Sequence, residues 1–195
     1  MPADLSAAAA AMPYAVTLPL DDDAADAVRQ LWLALAEQAG ADDMLRLGYP
    51  PHLTLAVLPD TAPATALAEA VSGLAEHWTG LGVTLAGLGV FPGAPPVVWA
   101  APVVTPPLLA RHAALHAALR AARPDCLVHE HYRPGAWVPH VTLSQRSGGA
   151  AGPLVEAAGS AWRGPIRAIC RRLELVRFPP VAVLRSEPLA AAAAG

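Results

Sequence analysis

The pattern of hydrophobic and polar positions predicts alternating strands and helices along the first part of the chain. Residues 14–18 are apolar and β-prone, which predicts a strand. A helix is predicted to follow and to end at Gly40, because apolar residues recur at helical spacing before that glycine. Residues 52–58, bounded by prolines, predict a second strand, and residues 64–78 predict a second helix. The apolar positions of the first helix are Val28, Leu31, Trp32, Leu35 and Ala39.

The stretch 81–110 carries no charged residue but contains six prolines, which exclude a membrane-spanning helix. It divides into two predicted strands, 83–90 and 96–103, joined by a turn. Residues 105–120 predict a third helix, with prolines at its first positions and His112 on its apolar stripe. The remaining predicted elements are a strand over 137–146, a short helix to about residue 161, and strands over 166–178 and 181–186.

Two five-residue segments, PHLTL at 51–55 and PHVTL at 139–143, are near copies of each other. The repetition favours a duplicated site over two unrelated His–Thr pairs that only hydrogen-bond each other in a sheet. Alternate side chains of a strand leave the same face. His52 with Thr54, and His140 with Thr142, therefore each present an imidazole beside a hydroxyl, and together they predict a symmetric pocket.

Composition and charge narrow the classes of function. The net charge of −3 and the pI near 6.1 argue against an extended nucleic-acid surface, so any phosphate partner is expected to be short. All thirteen basic side chains other than histidine are arginines, and the absence of lysine excludes a ligase that forms a lysyl-nucleotide intermediate. Two cysteines are too few for a disulfide framework, which favours a reduced, cytoplasmic setting.

Beyond the two motifs, the stretches 87–93, 103–106 and 176–180 are also similar to the 2H phosphoesterase superfamily. Within it, the chain most resembles the 2'-5' RNA ligase-like members. The resemblance implies an α+β fold of two pseudo-symmetric lobes, each an antiparallel sheet with outer helices, and an active-site cleft between them. We expect one such domain over 13–188, with disordered tails at 1–12 and 189–195.

The resemblance also implies a function: hydrolysis of the 2',3'-cyclic phosphate ends of RNA or nucleotides to 2'-phosphates. His52 would be the acid that protonates the departing 3' oxygen, and His140 the base that activates water. Imidazole suits both roles because it titrates near neutral pH. Thr54 and Thr142 would donate to the non-bridging phosphate oxygens. No metal or other cofactor is expected. The expected partners are short RNA ends or cyclic nucleotides. The protein is expected to be a monomer that does not bind a membrane.

Two other functions stay open at this point. The same two histidines could catalyse the reverse reaction, an ATP-independent 2'-5' RNA ligation that joins a cyclic end to a 5'-hydroxyl. Alternatively, the pocket could bind nucleotides without turnover, although two complete motifs argue against this.

One position departs from the family pattern. Many 2'-5' RNA ligase-like members carry an arginine five residues after the second-motif histidine, where this chain has Gln145 followed by Arg146. On a regular strand Arg146 would share the face of His140, Thr142 and Ser144 and would bind phosphate, whereas a bulge would undo this placement.

Three aromatic residues flank the motifs and are candidates for stacking on a nucleobase: Tyr49, Tyr132 and Trp137. Core packing is the alternative for each of them. His112 and His116 have the spacing of a metal pair on a helix, to which residues 129–131 could add ligands, but no recognised ligand pattern links them. Solvated histidines are the favoured interpretation.

Overall fold

The structure is a computed structural model that describes residues 14–59, 61–125, 127–145 and 149–191. The chain forms eight strands, five helices and one 3₁₀ turn along these residues. In chain order they are β1 (Tyr14–Pro19), α1 (Asp22–Ala39), α2 (Asp43–Arg46), β2 (His52–Leu58), α3 (Ala64–Ala75), β3 (Leu81–Phe91), β4 (Val97–Pro102), α4 (Pro106–Ala122), the 3₁₀ turn (Glu130–Tyr132), β5 (Val141–Ser144), α5 (Ala151–Ala161), β6 (Ile166–Cys170), β7 (Arg172–Arg177) and β8 (Ala182–Pro188).

The strands form two four-stranded antiparallel sheets, which confirms the predicted α+β fold of two lobes. The first lobe is the sheet β2-β1-β7-β8 with α3 and α4 packed on it, and the second lobe is the sheet β5-β4-β3-β6 with α1 and α5. Each motif strand is the edge strand of its sheet, and β2 and β5 lie against each other. One continuous hydrophobic core joins the two lobes.

Local signals in the sequence account for most element boundaries. Helix α1 ends where Gly40 adopts a left-handed conformation with φ 67°, a conformation that costs glycine little. Thr105 caps the start of helix α4: its hydroxyl accepts a hydrogen bond from the Leu108 N–H, and prolines follow it in the first turn. Among the described residues, no helix combines the length and hydrophobicity needed to cross a membrane.

Several predicted boundaries were wrong. The second motif strand is only Val141–Ser144. Before it, the side chains of Trp137 and His140 hydrogen-bond to backbone carbonyls, and residues 137–140 do not pair with a neighbouring strand. The single strand predicted over 166–178 is two strands that break at Arg171, because β6 pairs with β3 of the second lobe and β7 with β1 of the first. Helix α3 ends at residue 75, three residues earlier than predicted.

Of the two predicted disordered tails, the structure describes only the first residues of the C-terminal one, 189–191. Residues 1–12 lie outside the described part of the chain. Leu189 is buried, and Ala190 exchanges backbone hydrogen bonds with Trp78 and Gly80. The chain is therefore still paired to the domain at Ala190, two residues beyond the predicted boundary.

Candidate active site

The imidazole rings of the two motifs are held in the same way. In each motif, Nδ1 of the histidine lies 2.8 Å from the carbonyl oxygen two residues earlier, Pro50 for His52 and Val138 for His140. A carbonyl oxygen can only accept a hydrogen bond, so Nδ1 carries a proton in both rings. Nε2 is then the nitrogen left to exchange a proton with a ligand.

Both motif strands also contain a β-bulge at the same place. Thr54 and Ala56 lie opposite consecutive residues of β1, which leaves Leu55 as the extra residue. In the second lobe, Thr142 and Ser144 lie opposite consecutive residues of β4, which leaves Leu143 as the extra residue. The final leucine of each motif is therefore the bulged residue, and its side chain is fully buried.

An indole N–H donates to the backbone beside each motif hydroxyl. Trp137 Nε1 donates to the carbonyl oxygen of Thr54 at 3.1 Å, and Trp32 Nε1 donates to that of Thr142 at 3.0 Å. These strands lie at sheet edges, where backbone groups lack a neighbouring strand. The two tryptophans satisfy those carbonyls, and both threonine side chains remain partly exposed.

Burial lowers the pKa of both motif histidines. The pKa of His52 falls to about 4, mainly through burial; the Pro50 carbonyl raises it, the nearby His140 lowers it and Glu174 raises it. Burial also lowers the pKa of His140, against the effect of the Val138 carbonyl. Both imidazoles are therefore neutral at neutral pH in the unliganded protein. A bound anion would favour protonation of one of them.

An aromatic wall lines the second lobe beside His140; it consists of Phe91, Trp99 and Tyr132. The Phe91 ring meets the His140 ring edge-on at 5.0 Å, and it stacks on Trp99, also at 5.0 Å. The ring centroids of Trp99 and Tyr132 lie 6.0 Å and 6.4 Å from that of His140. Sequence reasoning missed Phe91 and Trp99, because their place in the site depends on the pairing of β4 with β5.

The three residues predicted to stack on a base have different surroundings. Tyr49 is buried, with only 7% of its surface exposed, and its hydroxyl is hydrogen-bonded to Glu174 and Thr17. One face of the Trp137 ring is covered by His112, at 4.0 Å and an angle of 3°. Tyr132 is partly exposed near His140, and burial raises the pKa of its hydroxyl to about 12. Like Trp137, Tyr132 packs partly against the core, and its ring centroid lies 6.4 Å from that of His140.

The interpretation of His112 and His116 as solvated was wrong. Both are buried under the site, because α4 packs its apolar stripe against β2. His112 Nε2 donates to the Tyr132 carbonyl at 2.8 Å, and its ring stacks on Trp137. Burial lowers the pKa of His112 to about 4 and also lowers that of His116. No group of three His, Cys, Asp or Glu side chains able to hold a metal occurs among the described residues.

The bulge in β5 overturns the predicted alignment of Ser144 with His140 and Thr142. Ser144 is fully buried on the core face opposite Val98, and its hydroxyl donates to Asp43 at 3.0 Å. Arg146 lies outside the described residues. Its predicted role in phosphate binding stays a prediction.

Comparison with known proteins identified relatives of the whole domain. The family model of the 2'-5' RNA ligase superfamily matches residues 18–179. Among solved structures, E. coli LigT complexed with 3'-AMP is similar with a TM-score of 0.62 and 21% identity, over 92% of this chain and 98% of that chain. The protein TT0787 of Thermus thermophilus is similar with a TM-score of 0.63 and 20% identity, over 92% of this chain and 99% of that chain. A sequence search of curated proteins found no significant match.

Proposed function

We propose that this chain, which belongs to the 2'-5' RNA ligase superfamily of 2H phosphoesterases, is a metal-independent phosphodiesterase that opens 2',3'-cyclic phosphate ends of RNA or nucleotides. The observation that carries the proposal is the matched pair of histidines, His52 at the start of β2 and His140 directly before β5, on two edge strands that lie against each other. Each ring keeps its proton on Nδ1 through a carbonyl and offers Nε2 to the ligand. Acid–base catalysis of phosphate transfer needs two such groups, one to take a proton and one to give it.

The proposed reaction uses the two rings in opposite states. His140 Nε2 removes a proton from water as the water oxygen bonds to phosphorus. The bond from phosphorus to the 3' oxygen breaks, and His52 Nε2 gives that oxygen a proton. The product carries a 2'-phosphate and a 3'-hydroxyl, and one proton has passed from water to the leaving group.

The phosphate itself would set the protonation state that this reaction needs. Both histidines are neutral in the free protein, so one of them must gain a proton when the substrate binds. The negative charge of the phosphodiester stabilises an imidazolium beside it. Thr54 and Thr142, on the same faces as the histidines, would donate to the non-bridging oxygens as charge develops on them.

The aromatic wall would hold the nucleobase next to the cyclic phosphate. Phe91, Trp99 and Tyr132 all lie within 6.4 Å of the His140 ring, measured between ring centroids. Stacking on such rings accepts any base, which suits an enzyme that acts on RNA ends of different sequence. E. coli LigT has been solved with 3'-AMP, and this chain would bind a nucleotide in the corresponding cleft as a monomer in the cytoplasm.

Ligation remains the second candidate, because the reverse reaction would use the same two histidines. A 5'-hydroxyl would take the place of water, and the product would be a 2'-5' linkage formed without ATP. The family's description as 2'-5' RNA ligases favours testing it directly.

The decisive assay offers the protein both reactions. The purified chain is incubated with the four 2',3'-cyclic mononucleotides and with a cyclic-ended oligonucleotide, with and without a 5'-hydroxyl acceptor, and each reaction is run both with and without EDTA. We expect 2'-phosphate products, and a loss of about 10²–10⁴-fold in turnover for His52→Ala and for His140→Ala. A linked product would establish ligation, and tight binding without turnover would identify a nucleotide-binding module. Activity that EDTA abolishes and zinc restores would refute the metal-independent mechanism.

A further inference from the structure

A row of polar side chains crosses the first-lobe sheet from the active site to the far edge. Thr54 lies opposite Thr17 in the neighbouring strand, and Thr17 lies opposite Glu174 in the next. Glu174 in turn lies opposite Ser186 in the last strand. Residues opposite each other in neighbouring strands project from the same face, so this row shares the face of His52.

Tyr49 connects this row to His52. Its hydroxyl donates to Glu174 Oε2 at 2.6 Å, since a carboxylate only accepts, and it accepts from Thr17 Oγ1 at 2.7 Å. Its ring meets the His52 ring at 4.8 Å and an angle of 64°. Thr17, Tyr49 and Glu174 are all less than a tenth exposed, so these contacts are closed to water.

The carboxylate of Glu174 is held from both sides. While Oε2 accepts from Tyr49, Oε1 accepts from the hydroxyl of Ser186 and lies 3.6 Å from Nε of Arg172. Burying a carboxylate is costly unless it is hydrogen-bonded, and here each oxygen has a donor. Such an arrangement fixes both the carboxylate and the tyrosine that it orients.

The second lobe has no counterpart of this arrangement in the same positions. Its row consists of Thr142, Trp99 opposite it, and Gly89 opposite Trp99. An aromatic ring lying over a glycine therefore occupies the positions that Thr17 and Glu174 fill in the first lobe. The two histidines share the same backbone contacts but differ in this neighbouring charge.

We propose that Glu174 is a positioning residue for the reaction proposed above: it holds the Tyr49 hydroxyl, the Tyr49 ring in turn fixes the ring of His52, and its negative charge favours the protonated form of His52, the proton donor. The inference rests on the proposed function. Burial is the main cause of the low pKa of His52; the Pro50 carbonyl raises it, His140 lowers it and Glu174 raises it. The pKa of His140 is lowered by burial and raised by the Val138 carbonyl, with no contribution from a carboxylate among the described residues.

The test compares imidazole titrations by NMR in the whole protein, without substrate. Glu174→Gln keeps the shape and removes the charge, so the pKa of His52 should fall by about 0.5 pH unit or more while that of His140 stays the same. The matched control is Glu187→Gln, which removes a carboxylate of β8 that pairs with Arg185 and Ser72 instead. It should leave both titrations unchanged. At pH 7, Glu174→Gln should lower kcat/KM on cyclic substrates about 3- to 10-fold.

An unchanged pKa of His52 in folded Glu174→Gln protein would overturn the proposal. If that variant does not fold, Tyr49→Phe replaces it, because it keeps the ring and the carboxylate but breaks the bond between them. That variant should lower kcat about 3- to 10-fold with KM within about 2-fold, and an unchanged kcat would also overturn the proposal. Failure of the proposed function gives a different result. In that case the wild-type protein is inactive on every cyclic substrate, although Glu174→Gln still changes the pKa of His52.

Discussion

The contact between Gly89 and Trp99 gives the sharpest test of the aromatic wall. A Cβ added at Gly89 would lie 2.2–2.5 Å from three atoms of the Trp99 ring, well inside van der Waals contact. The ring would have to move by more than about 1 Å to reach the ordinary carbon–carbon separation of about 3.5–4.0 Å. Gly89→Ala should therefore push Trp99 away from Phe91 and His140.

The size of the effect follows from this overlap. Forcing an extra carbon into a packed site costs about 1–3 kcal/mol, which in a protein of this length lowers Tm by about 2–12 °C. Loss of base stacking, worth about 1–3 kcal/mol, should lower kcat/KM by about 5- to 150-fold. Thermal unfolding and steady-state kinetics on a cyclic nucleotide measure the two effects separately.

Gly82→Ala is the matched control, because Gly82 lies in the same strand and a Cβ there meets no atom within 4 Å. It should keep both Tm and kcat/KM. Adding Gly89→Ala to a Trp99→Ala protein should cost little further stability, because the obstructing ring is gone. If Gly89→Ala matches Gly82→Ala in both measurements, or costs as much without Trp99 as with it, the reasoning is wrong.

Two further predictions concern the buried histidines and the end of β5. Burial lowers the pKa values of His112 and His116 below 6.5, the value expected in the unfolded chain. As the pH falls, the unfolded chain therefore binds protons at a higher pH than the folded protein does. The free energy of unfolding should decrease as the pH falls from about 6.5 towards 4. His116→Leu removes an Nε2 without a hydrogen-bond partner among the described residues. It should reduce the difference in the free energy of unfolding, measured with urea, between pH 7 and pH 5. An unchanged difference would contradict the prediction. With Leu143 as the extra residue, strand alternation continued one residue past Ser144 would put position 145 on the face of Thr142. On that basis Gln145→Arg should raise kcat/KM about 3- to 10-fold, whereas Gln145→Met should not; equal effects would rule out a charge contact with phosphate.

The histidine and threonine pairs could be predicted from the sequence because strand alternation is local and the motif is repeated. The bulges at Leu55 and Leu143 could not be predicted, because they exist only in the register with the partner strand. The same limit hid Trp99, which joins the site through its pairing with Thr142. It also led to the wrong alignment of Ser144.

Burial was the second property that local patterns did not reveal. His112 was placed correctly on the apolar stripe of its helix, but its polarity favoured a solvated role. The structure satisfies it with a carbonyl and a stacked indole, which the pattern of a single helix does not show. The break at Arg171 was hidden for a related reason, since β6 and β7 have similar apolar character but belong to different sheets.

The interleaving of the chain between its lobes has a mechanical consequence. Between Tyr14 and Pro188 the described elements pass from one lobe to the other six times, and a single core fills the space between the sheets. A hinge needs a few linking residues around which two bodies rotate. This connectivity offers no such axis, so the spacing between His52 and His140 is set when the protein folds. The cleft should therefore bind its ligand with side-chain adjustments only, without a movement of one lobe relative to the other.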